Sequence, residues 1–232
     1  MQTQANAPTA AKIKVLPWSP SSLGAFETCP RRVWLIKTKQ AFEKQTPALA
    51  EGNKVHKALE NALNGTEGLP AAYRQYQGAI DRILAAPGTK AAERGFALTA
   101  SFKPTTYWAP DAWVRGKIDV TIVRSKTALM IDWKNGKPKD DEDQAKIYAG
   151  VLFAENSAVE KVHTAYGWLT HNKLSQRTFV RDNVPAIWSE FSQRVKRMEY
   201  AASTNDFPPK PSGLCREYCP VGRRLCEFCG KD

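Results

Sequence analysis

No stretch of the 232-residue chain holds enough consecutive apolar residues to cross a bilayer, and Met1–Lys14 lacks the apolar centre and cleavage site of a secretory signal. These absences argue against a membrane-spanning or exported protein and lead to the expectation of a cytoplasmic one. Acidic residues are also scarce, 23 Asp and Glu against 34 Lys and Arg, which leaves a formal charge of +11. A chain so short of negative charge favours a polyanionic partner, with nucleic acid first among them. No segment repeats, so a solenoid or array is excluded. In a reducing compartment the five cysteines read as metal ligands or free thiols rather than disulfides. What remains, 42% hydrophobic and 25% charged residues, suits one main core with small appendages.

Three parts are expected along the chain. Residues 1–16 are small and polar without periodicity and read as a flexible tail. Residues 17–206 form the main domain. Residues 207–232 begin with the stiff run Phe207-Pro-Pro-Lys-Pro-Ser-Gly213 and end in a cysteine-rich segment. Within the domain, capping hydroxyls at Ser19–Ser22 predict a helix from Ser21 to about Lys37, and an apolar stripe of Leu49, Val55, Leu59 and Leu63 predicts another over 47–63. A third helix is predicted over 71–85. Strands follow over 92–102, 113–123 and 128–133, the last two joined by a hairpin turn at Arg124-Ser125-Lys126. A helix over 140–153, a strand over 159–169, a short strand over 177–180 and a long amphipathic helix over 184–202 complete an order of α, then β-β-β-α-β.

Gly116-Lys-Ile-Asp119 and Ile131-Asp132-Trp-Lys134 put two acids and a lysine on neighbouring strands. Asp132 and Lys134, two residues apart, point to one face. Carboxylates of this kind hold Mg²⁺ or Mn²⁺, and hydrolysis of a phosphodiester needs such a cation to neutralise its transition state. His56 rides on a helix between Gly52 and Glu60 and can serve as a third ligand, with Glu60 nearer the surface. Gln144 and Tyr148 lie one turn apart on the helix that follows. The glycine at 116 leaves room for a close approach of backbone or ligand. The turn from Lys134 to Lys139 offers basic contacts to a nucleic-acid backbone, and Trp18, Trp34, Trp108 and Trp113 are candidate stacking platforms for bases.

From Trp18 to Cys226 these motifs resemble the PD-(D/E)xK nuclease superfamily, and within it the RecB-like exonucleases that include the AddB nuclease domain and CRISPR-associated adaptation nucleases. Gly52-Asn-Lys-Val-His56, Gly116-Lys-Ile-Asp119, Asp132-Trp-Lys134 and Gln144-x-x-x-Tyr148 carry the likeness in the family's order. The resemblance implies an α/β, restriction-endonuclease-like αβββαβ core, its central mixed sheet flanked by helices, with a metal-bound cysteine-rich segment at the C-terminus. It implies that His56, Asp119, Asp132 and the carbonyl of Ile131 hold Mg²⁺ or Mn²⁺, that Lys134 positions or activates water, and that Gln144 and Tyr148 orient Lys134 and DNA.

The opening Ser19-Pro-Ser-Ser-Leu-x-x-Phe26-x-x-Cys29-Pro30 is similar to that of iron–sulfur members of the family. That likeness implies a [4Fe–4S] cluster on Cys29, Cys215, Cys219 and Cys226, with Cys229 left over. The spacing departs from the family's by one residue in each gap, and a tetrahedral Zn²⁺ on Cys215, Cys219, Cys226 and Cys229 is the alternative. The implied activity is metal-dependent exonucleolytic hydrolysis of single-stranded DNA or DNA ends, in recombination, repair, phage DNA metabolism or CRISPR adaptation, by a homo-oligomer or with a partner from such a pathway. The alternative is a catalytically silent nucleic-acid-binding or nuclease-partner protein on the same fold.

Overall fold

The computed structural model describes residues 13–43, 46–139 and 142–230. The chain divides into two compact units, residues 45–191 and residues 1–44 with 192–232. The expected tail lies mostly outside the described residues, although Val15 at its end is buried.

In unit 45–191, strands β1 (Thr89–Thr99), β2 (Ala112–Arg124), β3 (Thr127–Lys134), β4 (Lys161–Trp168) and β5 (Lys173–Val180) make one sheet in that spatial order. Only β3 and β4 are parallel, because the helix α5 (Glu142–Glu155) carries the chain back between them. The other pairs are antiparallel. The predicted hairpin is present, with Arg124 paired to Thr127 across Ser125 and Lys126. Its left-handed corner is Ser125, at φ 48°. The last strand runs further than residues 177–180, for the whole of it pairs with β4 from Lys161–Val180 to Trp168–Lys173.

Helix α3 (Pro47–Asn64) starts where the Thr46 side chain accepts the Leu49 N–H at 3.2 Å, and stops at Gly65, which is left-handed at φ 67°. Its Val55 and Leu59 pack with Ile80 and Ile83 of α4 (Gln77–Ala85) and with Val120, Ile122 and Trp133 of the sheet. The helix predicted over 71–85 is thus partly a 3₁₀ turn, Ala71–Tyr76, before α4. On the opposite sheet face lies α5, apolar around most of its circumference, with Ile147, Ala149, Val151 and Leu152 fully buried. Adjacent residues of β3 make the division plain. Trp133 belongs to the cluster with α3, whereas Asp132 accepts a hydrogen bond from Gln144 of α5. Helix α6 (Val184–Thr204) begins in this unit, where Trp188 stacks on Phe102 at 5.0 Å.

In the other unit, the single helix expected from Ser21 to Lys37 is two: α1 (Pro20–Thr28), closed at its start by reciprocal Ser19–Ser22 bonds, and α2 (Pro30–Lys37). Pro30 removes an N–H and forces the residue before it into extended backbone, so Cys29 at φ −163° separates them. Helix α1 meets the C-terminal half of α6 through the Arg194–Glu27 ion pair at 2.6 Å, and Phe26 meets Phe207 edge to face. Leu35 and Ala41 pack with Val221, Cys226 and Cys229, which follow the short α7 (Leu214–Glu217).

Candidate active site

The ladder between β2 and β3 ends at the Val120–Ile131 pair. One residue beyond it, Asp119 and Asp132 face each other where the strands part. In place of a backbone partner, the Trp133 N–H donates to Asp119 Oδ2 at 2.7 Å. A second local device aims the acid. Gly116 lies opposite Phe96, whose ring meets Tyr148 of α5 at 5.7 Å. Val120, four residues on, packs under α3 and α4. Strict alternation would keep residues 116 and 120 on one face, so the pleat inverts between them, at Asp119.

The β1 partner of that inversion is Glu93. The pairs on either side, Ala92–Val120 and Arg94–Ile118, put it opposite Asp119 with no register shift. Its φ of 48° is left-handed, a strained conformation for a residue with a Cβ. His56, Glu93 and Asp119 each offer a ligand atom, and these atoms lie within 4.8 Å of one another. His56 Nδ1 is 3.4 Å from Asp119 Oδ2. The histidine reaches the strands because α3 passes close to the end of β3 at Gly52. A Cβ on Gly52 would stand 3.0 Å from Asn135 Nδ2.

Asp132 and Lys134 form the adjoining half of the site. Lys134 Nζ lies 2.7 Å from Asp132 Oδ2 and donates to Gln144 Oε1 at 2.6 Å. Gln144 Nε2 donates to Asp132 Oδ1 at 3.1 Å and to the Tyr148 hydroxyl at 2.8 Å, and that hydroxyl donates to the Lys117 carbonyl at 2.9 Å. The i, i+4 pair on α5 thus ties lysine, acid and β2 together. The Tyr166 ring, 5.3 Å from Lys134 Nζ, adds a π face beside the ammonium.

The electrostatics are those of a site short of positive charge. Burial, and then Asp119, push the Asp132 carboxyl from 3.8 up to about 6, against the pull of Lys134. Glu93 is raised first by burial and then by Asp119. Donating a hydrogen bond to the Asp119 carboxylate lifts His56 above its ordinary imidazole value, against burial. Asp132 Oδ2 is buried, and although Lys134 is near, it has no partner in hydrogen-bond geometry. A divalent cation fits this arrangement: converging hard oxygens and an imidazole, one buried carboxylate oxygen without a hydrogen bond, and an open cleft of ≈ 550 Å³ lined by Leu49, Gly52, His56, Glu60, Glu93 and Lys134. Glu60 sits at the rim, its carboxylate taken by Lys57 at 2.9 Å.

Of the residues chosen from the sequence, His56 and Asp119 meet in one cluster, and Asp132, Lys134, Gln144 and Tyr148 in the network beside it. Ile131 is the last β3 residue paired with β2. Glu93 and Tyr166 were missed. Glu93 becomes visible only once the β1–β2 register is known. The space expected at Gly116 for a ligand is filled by the protein itself, since a Cβ there would lie 2.8 Å from Phe96 Cζ.

The five cysteines are free, and all five line one small cavity of ≈ 60 Å³ beside Thr28 and Pro209. Cys229 is 2% exposed. Burial and hydrogen bonds with Cys219 and Cys226 push its thiol up to about 12. Cys215 Sγ accepts the Ser212 N–H at 3.4 Å. Among the described residues no three of these sulfurs converge within 4.8 Å of one another, as the ligand atoms of His56, Glu93 and Asp119 do.

A mixed sheet flanked by helices, with acids and a lysine where two central strands part, is the restriction-endonuclease-like architecture. The model of the PD-(D/E)XK nuclease superfamily matches residues 17–227, and the chain belongs to that superfamily of phosphodiester hydrolases. No curated protein sequence matches it. Among solved structures, a "putative exonuclease" from Eubacterium rectale has a TM-score of 0.52 at 11% identity over 87% of this chain and 86% of its own. At that identity the likeness shows the fold alone. The structure of SSO0001 covers 90% of this chain and 85% of its own at 13% identity, with a TM-score of 0.39, too loose to argue from. No helix among the described residues is long and apolar enough to cross a membrane.

Proposed function

We propose that the protein is a Mg²⁺- or Mn²⁺-dependent deoxyribonuclease of the RecB-like kind, an exonuclease acting on single-stranded DNA or DNA ends. The observation that carries this is the convergence of His56, Glu93 and Asp119 within 4.8 Å, beside the Asp132–Lys134–Gln144 network. His56, Asp119 and Asp132, with the Ile131 carbonyl and Glu93, would hold the metal. When bound, it supplies charge neutralisation at the scissile phosphate and lowers the pKa of water. Lys134, held between Gln144 and Asp132, orients the attacking water and stabilises charge that develops on the phosphate oxygens. Gln144 fixes the lysine's position through its amide, and Tyr148 anchors Gln144 to β2. Lys134 lines the cleft, and the basic turn that runs on from it to Lys139 suits the phosphate backbone.

Residues 17–206 carry the nuclease fold in this reading and residues 207–232 the cysteine segment. That Cys29 lines the same cavity as the C-terminal cysteines supports a [4Fe–4S] cluster on Cys29, Cys215, Cys219 and Cys226. Zinc is the second reading, favoured by the hydrogen bonds that link the Cys229 thiol to Cys219 and Cys226. Free cysteines accord with a cytoplasmic setting, and the activity suits recombination, repair, phage DNA metabolism or CRISPR adaptation.

Strands labelled at the 5′ or 3′ end, incubated with Mg²⁺ or Mn²⁺, test the activity and its polarity together. Metal-dependent shortening is expected from the wild type and none from Asp119→Ala; full activity in that variant would overturn the assignment. Anaerobic purification with visible absorbance and metal analysis separates the two readings at the cysteines, a colourless zinc-loaded protein refuting the cluster.

A further inference from the structure

Of the four tryptophans that the sequence marks as stacking platforms, Trp18 is 0% exposed and Trp113 7%, whereas Trp108 is 78% exposed. Trp34 donates its indole N–H to Asn205. Trp108 is open, but it is held in place. The Tyr107 ring meets it edge to face at 5.0 Å, and the Arg115 guanidinium lies over both rings, 4.6 Å from the Trp108 centroid and 5.2 Å from that of Tyr107. Two aromatic faces pinned by a cation form a pre-organised surface with positive charge at its edge.

The platform lies on the approach to the acids. Arg94 and Phe96 turn toward Glu155 and Tyr148 of α5, so Gly95 between them faces the other side. Lys117 and Arg115 face the same way, paired with Gly95 and Ala97. Tyr107 rests on Gly95, where a Cβ would stand 3.0 Å from its ring. Lys117 Nζ lies 3.7 Å from Glu93 Oε2, inside the acidic group. From Asp119 to Arg115 is four residues, about 14 Å of strand. One face of the β1–β2 pair therefore carries, in order, the acids, Lys117, Arg115 and the exposed indole.

We propose that Trp108, with Arg115 and Lys117, binds an unpaired base and its adjoining phosphates, delivering single-stranded nucleic acid to the cleft; this rests on the nuclease reading above. An exposed indole needs an uncovered base face, which a duplex keeps within its own stack and a single strand offers. The two cations match the phosphates on either side of that base.

The test is binding of a labelled oligothymidylate, and of a blunt duplex of the same length, to the full-length protein in EDTA by fluorescence anisotropy. Trp108→Ala should weaken single-strand binding about tenfold and duplex binding less than twofold, with an unchanged salt slope. Trp108→Phe should restore most of the loss, and Arg115→Ala should lower the salt slope by about one. Equal single-strand affinity in wild type and Trp108→Ala, with metal-dependent cleavage intact, would overturn this proposal and leave the nuclease reading standing. A wild-type protein that neither binds nor shortens single strands would overturn both. Trp108 is so exposed that its loss leaves the fold intact, which unfolding of the variant at the wild-type midpoint verifies.

Discussion

Replacing Asp132 by Asn separates what the site costs from what it does. Asp132 is 4% exposed, and its carboxyl titrates at about 6 instead of 3.8 because burial and Asp119 both oppose its charge. A carboxyl whose native value lies above its unfolded value disfavours the folded state once ionised. The metal-free wild type therefore loses stability as pH rises from about 3.8 through about 6, and at 1.36 kcal/mol per pH unit the full loss is about 3 kcal/mol. Asn cannot ionise and escapes it. The variant deprives Lys134 of a charge 2.7 Å away, but the ammonium keeps Gln144 Oε1 at 2.6 Å and the Tyr166 ring. In EDTA at pH 8, Asp132→Asn should be more stable than wild type by about 1–3 kcal/mol, and the two should converge near pH 4. Saturating Mn²⁺ should reverse the order, since a ligand at a hundred times its Kd stabilises the protein that binds it by about 2.7 kcal/mol. Urea unfolding followed by tryptophan fluorescence measures all three conditions. A variant less stable than wild type in EDTA at pH 8, or a difference independent of pH, would refute the reasoning.

Four further outcomes follow from the same contacts. Lys134→Ala should lower the single-turnover cleavage rate by about a hundredfold or more while Mn²⁺ affinity, read by electron paramagnetic resonance of the protein without DNA, changes only a few-fold. Glu93→Gln should weaken Mn²⁺ binding by about tenfold in the same assay. In the wild type that affinity should fall as pH drops through about 6, because Asp132 must then surrender a proton to the incoming ion. Gly116→Ala puts a methyl 2.8 Å from Phe96 Cζ. Overpacking should cost about 1–3 kcal/mol in urea unfolding and, through the Phe96–Tyr148 contact, slow cleavage as well.

The helices and strands around the site were legible because each carried its own punctuation. Thr46-Pro47 opens α3, Gly65 closes it, and Ser125-Lys126 turns β2 into β3. Where punctuation falls inside a periodic stretch, the two signals conflict. Val33 and Leu35 continue the apolar pattern of Leu23 and Phe26, so one helix was expected across Pro30, whose missing N–H divides it in two. At the site, Asp132, Lys134, Gln144 and Tyr148 were legible because strand and helix periods alone bring each pair to one side. His56 was found by a motif, since nothing local to α3 reveals which strand end it meets.

Glu93 escaped because its position depends on three non-local facts at once. The register of β1 on β2 sets it opposite Asp119. The inversion of the pleat between residues 116 and 120 turns that pair toward α3 and away from α5, and the approach of α3 at Gly52 places the imidazole there. In sequence, Ala-Glu93-Arg is an ordinary charged pair at the start of a strand. In the fold, the strain at φ 48° is held by neighbours that over-determine it: Arg94 is locked to Glu155 at 2.7 Å, and Gly95 lies beneath Tyr107. The residues that fix Glu93 toward the acids on one side are thus continuous with those that seat Trp108 on the other. A change at Gly95 should disturb metal affinity and single-strand binding together, whereas a change at Trp108 should touch only the second.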